Sequence, residues 1–326
     1  MTATYRGGEL VAEIVRSGFA ESLHRGSVAV TDPAGALVAA IGDADSPVFP
    51  RSSNKPMQAL AMLRAGWEPD SEADLAIAAA SHRGEPVHLA RARSVLAHAG
   101  LGETHLQCPP DLPSDPTARN TVIAADGPEP RRVYMNCSGK HSGMLAACAA
   151  AGWDLATYRE PDHPLQELIT ATVEELTGET VGAVGVDGCG APVLAVSLRG
   201  IATAFSRLVE APEGSPERRV ADAMRANPIL IDGTHGPDHR AMSAIPGLLA
   251  KGGAEGFHVL AVPGVGAAAV KIDDGAGRAS MPVALRALTR IGGLAIPEAA
   301  KPEVESLYWP EILGGGKPVG RLRPLL

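Results

Sequence analysis

Short apolar segments stand at both ends of the chain, with amphipathic segments between them. Near the start, Ser27–Asp32 and Ala36–Ile41 flank Asp32-Pro33-Ala34-Gly35, whose proline and glycine suit a tight turn, so the pattern predicts an antiparallel hairpin. Near the end, Phe257–Val262 and Ala267–Ile272 repeat the arrangement around Pro263-Gly264, and Val283–Ile291 reads as a closing helix. Between them Pro56–Ala65, Asp74–Ala80, Pro86–Ala99, His141–Ala151, Pro164–Leu176, Val196–Val209 and Arg218–Arg225 carry helical periodicity. Leu194, Leu198, Ile201, Phe205 and Leu208 mark one such face. This order predicts an α/β (α+β) protein with one sheet built from the two chain ends, about 1–55 and 250–326, and a helical middle, about 56–249. No long linker or fixed-period repeat interrupts it, so a single domain over residues 1–326 is expected.

Charge narrows the partners. With 29 Lys+Arg against 37 Asp+Glu the net charge is −8, which leaves no basic field for nucleic acid or an anionic membrane surface and favours small neutral or zwitterionic ligands. Met1 to Leu10 lacks an apolar run of signal-peptide length, and no stretch approaches the roughly 20 apolar residues of a spanning helix, so a cytoplasmic location is expected. Cys108, Cys137, Cys148 and Cys189 are too few for a disulfide scaffold, and a reducing compartment keeps them as thiols.

Several polar clusters interrupt the apolar pattern. In Arg51-Ser52-Ser53-Asn54-Lys55-Pro56 a serine and a lysine stand three apart at a helix start, where a neutral amine can accept the hydroxyl proton, although Ser52 also suits a helix cap. A second lysine nearby would lower the pKa of the first. Ala80-Ser81-His82-Arg83-Gly84-Glu85 ends an apolar helix, and Glu85 also suits the first turn of the next one. Asn136-Cys137-Ser138-Gly139-Lys140-His141 sets a thiol, an amine and an imidazole before an apolar helix, whose N-terminus favours thiolate. The glycine-rich turn Gly185-Val186-Asp187-Gly188-Cys189-Gly190-Ala191-Pro192 presents Asp187 and Cys189, and Leu249-Ala250-Lys251-Gly252-Gly253-Ala254-Glu255-Gly256 puts a lysine at the approach to a strand. Cysteine spacing alone does not define a zinc site, and buried thiols read equally well. Cys108 and Cys148, without such surroundings, read as structural.

Taken together and in order, these clusters resemble the asparaginase II family, with its Arg-Ser-x-x-Lys, Ser-His-x-Gly-Glu, Asn-Cys-Ser-Gly-Lys-His, Asp-Gly-Cys-Gly-x-Pro and Lys-x-Gly-Ala-Glu-Gly motifs. The resemblance spans residues 51 to 256 and implies a fold like that of serine β-lactamases, penicillin-binding proteins and glutaminases. It implies hydrolysis of L-asparagine to L-aspartate and ammonia, with Ser52–Lys55 as nucleophile and base and Ser81–Lys251 as an adjacent second pair. Cys137, Lys140 and Cys189 would bind Zn2+, with Arg51, His82, His141, Asp187 and Glu255 supporting metal or substrate, and the family expectation is a homodimer. A lysine ligand needs its lone pair, so Lys140 would be neutral beside the metal.

The run Asp232–Arg240 departs from the family's Gly-x-x-Arg-x-Asp segment, which bears on substrate preference and cleft shape. Either Ser52 or Ser81 can be the attacking serine, and zinc can activate water, orient the substrate or brace the cleft. A glutaminase or a β-lactam- or peptide-directed serine hydrolase is the alternative enzyme, and a silent amino-acid-binding protein the alternative outside catalysis.

Overall fold

The computed structural model describes residues 4–326, so Met1–Ala3 of the N-terminal stretch lie outside it. The chain opens with β1 (Glu9–Arg16), β2 (Phe19–Thr31) and β3 (Leu37–Ile41). It continues through α1 (Lys55–Arg64), α2 (Glu72–Ala78), α3 (Pro86–His98), α4 (Pro116–Asp126), α5 (Ser138–Ala151) and α6 (Pro164–Thr177). After a short hairpin, β4 (Ala183–Val186) and β5 (Pro192–Ala195), come α7 (Leu198–Glu210), α8 (Pro216–Ala226), α9 (Pro228–Asp232) and α10 (Pro237–Ala244). The last part holds β6 (Leu249–Gly253), β7 (Phe257–Val262), β8 (Gly266–Ile272), α11 (Gly277–Arg290), α12 (Lys301–Tyr308), β9 (Glu311–Gly314) and β10 (Lys317–Pro324).

Helix boundaries follow from local chemistry. Proline is the first residue of α3, α4, α6, α8, α9 and α10, where its missing N–H costs nothing and its fixed φ suits the helix. Ser71, Ser197 and Ser215 cap α2, α7 and α8 by accepting backbone N–H groups. Gly152 and Gly178 end α5 and α6 at φ 70 and 74, a conformation that favours glycine.

The main sheet is antiparallel and has eight strands in the order β6-β7-β8-β2-β1-β10-β9, with β3 also paired to β2. Thus β1 pairs with β10, Ala12 opposite Pro324 and Arg16 opposite Gly320, and the expected sheet of joined chain ends is present. All six residues of β7 are buried, because α7 and α11 both pack against β7 and β8. This two-sided cover explains why the strand reads as a continuous apolar run rather than an alternating one. Each large aliphatic side chain enclosed there stabilises the fold by about 1.5–3 kcal/mol.

Several elements depart from the sequence reading. β1, β9, β10, α4, α9, α10 and α12 were not anticipated, so the helix expected to close the fold is followed by one more helix and two strands. The middle is also not purely helical: Leu194 lies in β5, and the helix expected from Val196 begins at Leu198 behind the Ser197 cap. Helix α1 is buried from Lys55 to Met62 rather than on one face, which makes it a central helix carrying its lysine inside the protein.

Candidate active site

Arg51–Asn54 forms a single 3₁₀ turn leading into α1. Arg51 takes φ 52, a region unfavourable for a side-chain-bearing residue by about 1–3 kcal/mol, and its Nε donates to Asp187 Oδ1 at 2.7 Å. Behind the turn, Ser53 Oγ donates to the Lys251 carbonyl at 2.8 Å. A Cβ on Gly253 would lie 2.4 Å from the Pro50 carbonyl oxygen, so a glycine there lets β6 run against the turn. Lys251 is therefore within β6 itself, not in a loop ahead of the strand.

Ser52, Ser81 and Lys251 line one cavity of 360 Å³, and Ser52 also lines a neighbouring cavity of 240 Å³ with Arg51, Cys137, Asp187 and Cys189. The pairing of hydroxyls and amines differs from the sequence expectation. Lys55 Nζ donates to Ser81 Oγ at 3.0 Å and to the Ala80 carbonyl at 2.5 Å. Among the described residues no hydrogen bond joins Ser52 to Lys55 or Ser81 to Lys251. Lys55 leaves the first turn of α1 toward the end of α2, while Lys251 Nζ donates to the Gly252 carbonyl at 2.8 Å. Burial, and then the nearby Lys55 charge, push the Lys251 pKa down to about 8 against the opposing pull of Asp238.

Asp238 anchors this corner. Its Oδ1 lies 2.7 Å from His258 Nε2, and its Oδ2 accepts the Gly252 N–H at 2.8 Å, 3.9 Å from Lys251 Nζ. Burial works against the Asp238 carboxylate, but His258, Lys251 and the Gly252 N–H outweigh it and hold its pKa well below the usual range. Asp232 accepts the Asp238 N–H at 3.1 Å and pairs with Arg83 at 2.9 Å, while burial and the Asp238 charge push its pKa up to about 6. The roles of Asp238 and His258 were not foreseen; the available signal was one histidine inside the otherwise apolar strand Phe257–Val262.

On the other side, Cys137 precedes α5, and Gly139 lets that helix press on α2, since a Cβ there would lie 2.4 Å from the Ile77 carbonyl oxygen. Lys140 Nζ donates to Cys189 Sγ at 3.1 Å. Cys137 Sγ donates to Asn136 Oδ1 at 3.2 Å; the neighbouring Cys137 thiol, with Lys140 and His141, lowers the Cys189 pKa far below that of a free thiol, and the proximity of Cys189, with burial, raises that of Cys137. Burial works to lower the Lys140 pKa, but the charges of Cys189, Cys137 and Asp187 outweigh it and raise it. His141 Nδ1 meets the Tyr158 hydroxyl at 2.6 Å, and its buried Nε2 has no hydrogen-bond partner among the described residues; burial pushes its pKa down to about 4. Cys137, Cys189 and Lys140 gather two sulfurs and an amine, donor types that zinc accepts.

Two further residues anticipated for substrate binding stand in different surroundings. His82 is fully buried, its Nδ1 accepting the Gly84 N–H at 3.2 Å, so its Nε2–H donates to Ser138 Oγ at 2.8 Å. It braces the Ser81 loop on α5 and lines the 360 Å³ cavity beside Ser81. Glu255, at φ 60, is exposed in the β6–β7 turn, with its carboxylate beside Gly275, and lines neither cavity. Cys108 and Cys148, outside the cluster, are buried thiols pushed up to about 11 and about 12 by burial.

The sequence profile of L-asparaginase II matches residues 12–324. The chain belongs to the L-asparaginase II family. No curated protein matches the sequence. Among solved structures the chain is similar to Mglu in its glutamate form, with 14% identity and a TM-score of 0.43 over 82% of this chain and 59% of that one. It is also similar to a β-lactamase from Mycobacterium bovis, with 16% identity and a TM-score of 0.41 over 87% of this chain and 95% of that one. The chain thus spans 59% of the Mglu structure. Among the described residues of this L-asparaginase II family member, no helix is long and apolar enough to cross a membrane.

Proposed function

We propose that the chain hydrolyses the side-chain amide of L-asparagine to L-aspartate and ammonia. The observation that carries this reading is one cavity holding two serines and a buried lysine, with a second buried lysine hydrogen-bonded to one of those serines. Ser52, at the mouth of both cavities, attacks the amide carbon; its proton passes to the buried amines and on to the leaving nitrogen. The carbon–nitrogen bond breaks, ammonia leaves, and water cleaves the serine ester to release aspartate. Backbone N–H groups at the start of the Ser52 turn receive the oxyanion. Arg51 and Asp187 hold the carboxylate and ammonium of the amino acid head, their ion pair being exposed to the smaller cavity.

A second reading makes Ser81 the nucleophile, because the observed amine–hydroxyl contact is Lys55 to Ser81. Mass spectrometry of the enzyme mixed rapidly with asparagine separates the two. An acyl adduct on the Ser52 peptide is expected, and an adduct on the Ser81 peptide with an active Ser52→Ala enzyme would reverse the assignment. No ammonia from the folded protein at all would end the asparaginase reading.

Zinc would be held by Cys137, Lys140 and Cys189, with His141 beside them, and would supply the local charge that keeps Lys140 neutral and both sulfurs as thiolates. Elemental analysis of purified protein is expected to give about one zinc per chain, and Cys189→Ser to remove most of it.

Lys251 sets the expected pH dependence. With its pKa near 8, the amine is mostly protonated below that pH and mostly free above it, so kcat/KM for asparagine rises with pH through about 8 and then levels. Initial-rate profiles check this; Lys251→Arg removes the limb along with most of the activity.

A further inference from the structure

Two cavities meet at Ser52, and Ser114, Asn136 and Ala254 line both. Each carries an arginine–aspartate ion pair on its wall: Arg51 with Asp187 at 2.7 Å in the 240 Å³ cavity, and Arg83 with Asp232 at 2.9 Å in the 360 Å³ cavity. Neither arginine is saturated. Arg51 uses only Nε, and Arg83 uses Nε and Nη2, leaving its Nη1 without a partner among the described residues. Both guanidinium-bearing side chains keep solvent access, 26% for Arg51 and 34% for Arg83. A guanidinium held by an aspartate yet open on one edge is a receptor for a carboxylate.

Asparagine brings one carboxylate. If its head occupies the Arg51–Asp187 side, its leaving group is ammonia, comparable in size to a water molecule that fills about 30 Å³ of liquid. The larger cavity and its arginine then have nothing to bind. A leaving group that uses them is an amine carrying its own carboxylate a few bonds away, which describes an amino acid joined through its α-nitrogen to the aspartate side chain.

We propose that this site also cleaves β-aspartyl dipeptides, with Arg83 taking the carboxylate of the second residue; the inference rests on the asparaginase reading and extends its substrate class. The serine oxygen–carbon bond forms as the carbon–nitrogen bond of the isopeptide breaks. The serine proton goes to the departing amine, which leaves as a free amino acid, and water then hydrolyses the ester to aspartate and serine. Pro237 and Met281 on the cavity wall favour small second residues such as glycine or alanine.

The test supplies the holoenzyme with β-aspartyl-glycine, β-aspartyl-glycinamide and asparagine in parallel, following free glycine, glycinamide and ammonia. Glycine release is expected, with kcat/KM for the amide-capped dipeptide at least about tenfold lower through KM, since only the carboxylate has been neutralised. Arg83→Met is expected to close that gap by raising KM for the dipeptide about tenfold while leaving KM for its amide-capped form unchanged. Asparagine cleavage without glycine release overturns the inference and leaves the asparaginase reading intact. Equal rates for the dipeptide and its capped form overturn the role of Arg83 without depending on any variant's folding. Failure on all three substrates by the folded holoenzyme overturns the asparaginase reading, and this inference with it.

Discussion

Lys55→Met should lower asparagine turnover by about 10²–10⁴-fold, the range for losing a positioned proton-transfer group. The amine is buried, donates to Ser81 Oγ and the Ala80 carbonyl, and lies close enough to Lys251 to depress its pKa. The substitution removes that cation, so the residual activity should also titrate at higher pH than in the parent, because one cause of the low Lys251 pKa is gone. Methionine nearly preserves the volume, and the surrounding α1 side chains are apolar, so thermal melting should change little. Ammonia-release rates across pH check both parts: parent-level turnover in a folded Lys55→Met protein would remove Lys55 from the mechanism.

Asp238→Ala should destabilise the fold by roughly 3–5 kcal/mol, the usual cost of breaking a buried charged pair from one side. The carboxylate is 2% exposed and engages His258, the Gly252 N–H and Lys251. Its folded pKa is lower than its unfolded one. The stabilisation is therefore present above the unfolded value, near 3.8, and is lost as pH falls through the folded value below it. Denaturant melts read the loss at neutral pH. Asp238→Asn keeps the shape and removes the charge that raises the Lys251 pKa, so the acid limb of the activity profile should move to lower pH. A residue that only filled space would leave that limb where it was.

The sequence was informative where one stretch of chain carries its own instruction. Proline-led helices such as α3, α6 and α8, and the two-sided apolar strands β7 and β8, are decided by local sterics and burial. β10 is not: Lys317–Pro324 contains two prolines, a glycine and two arginines, and is a strand only because β1 and β9 supply its partners. α4 is largely exposed, so it lacks a buried stripe to read.

The site divides in the same way. Motif residues such as Ser52, Cys137 and Lys140 could be picked out individually, whereas their pairings are tertiary facts. Lys55 meets Ser81 from 26 positions away, and Asp238 meets His258 from 20 positions away. Spacing within a motif suggested Ser52 as the partner of Lys55, but the buried amine follows the direction of its own side chain to the end of α2. Glu255 was misread for the complementary reason. It stands next to cavity-lining Ala254, but in its left-handed turn it is exposed and lines neither cavity.

Because Ala12 to Arg16 are registered against Gly320 to Pro324, one edge of β1 stays uncovered during synthesis until β10 has emerged. Until then that edge offers unpaired amides and carbonyls to any neighbouring nascent chain. The whole β1–β10 ladder carries a long loop-closure penalty, which slows commitment to the native topology. Productive synthesis should therefore depend on the emergence of β10 more than on the helices made before it, and removing β10 should divert chains into aggregates.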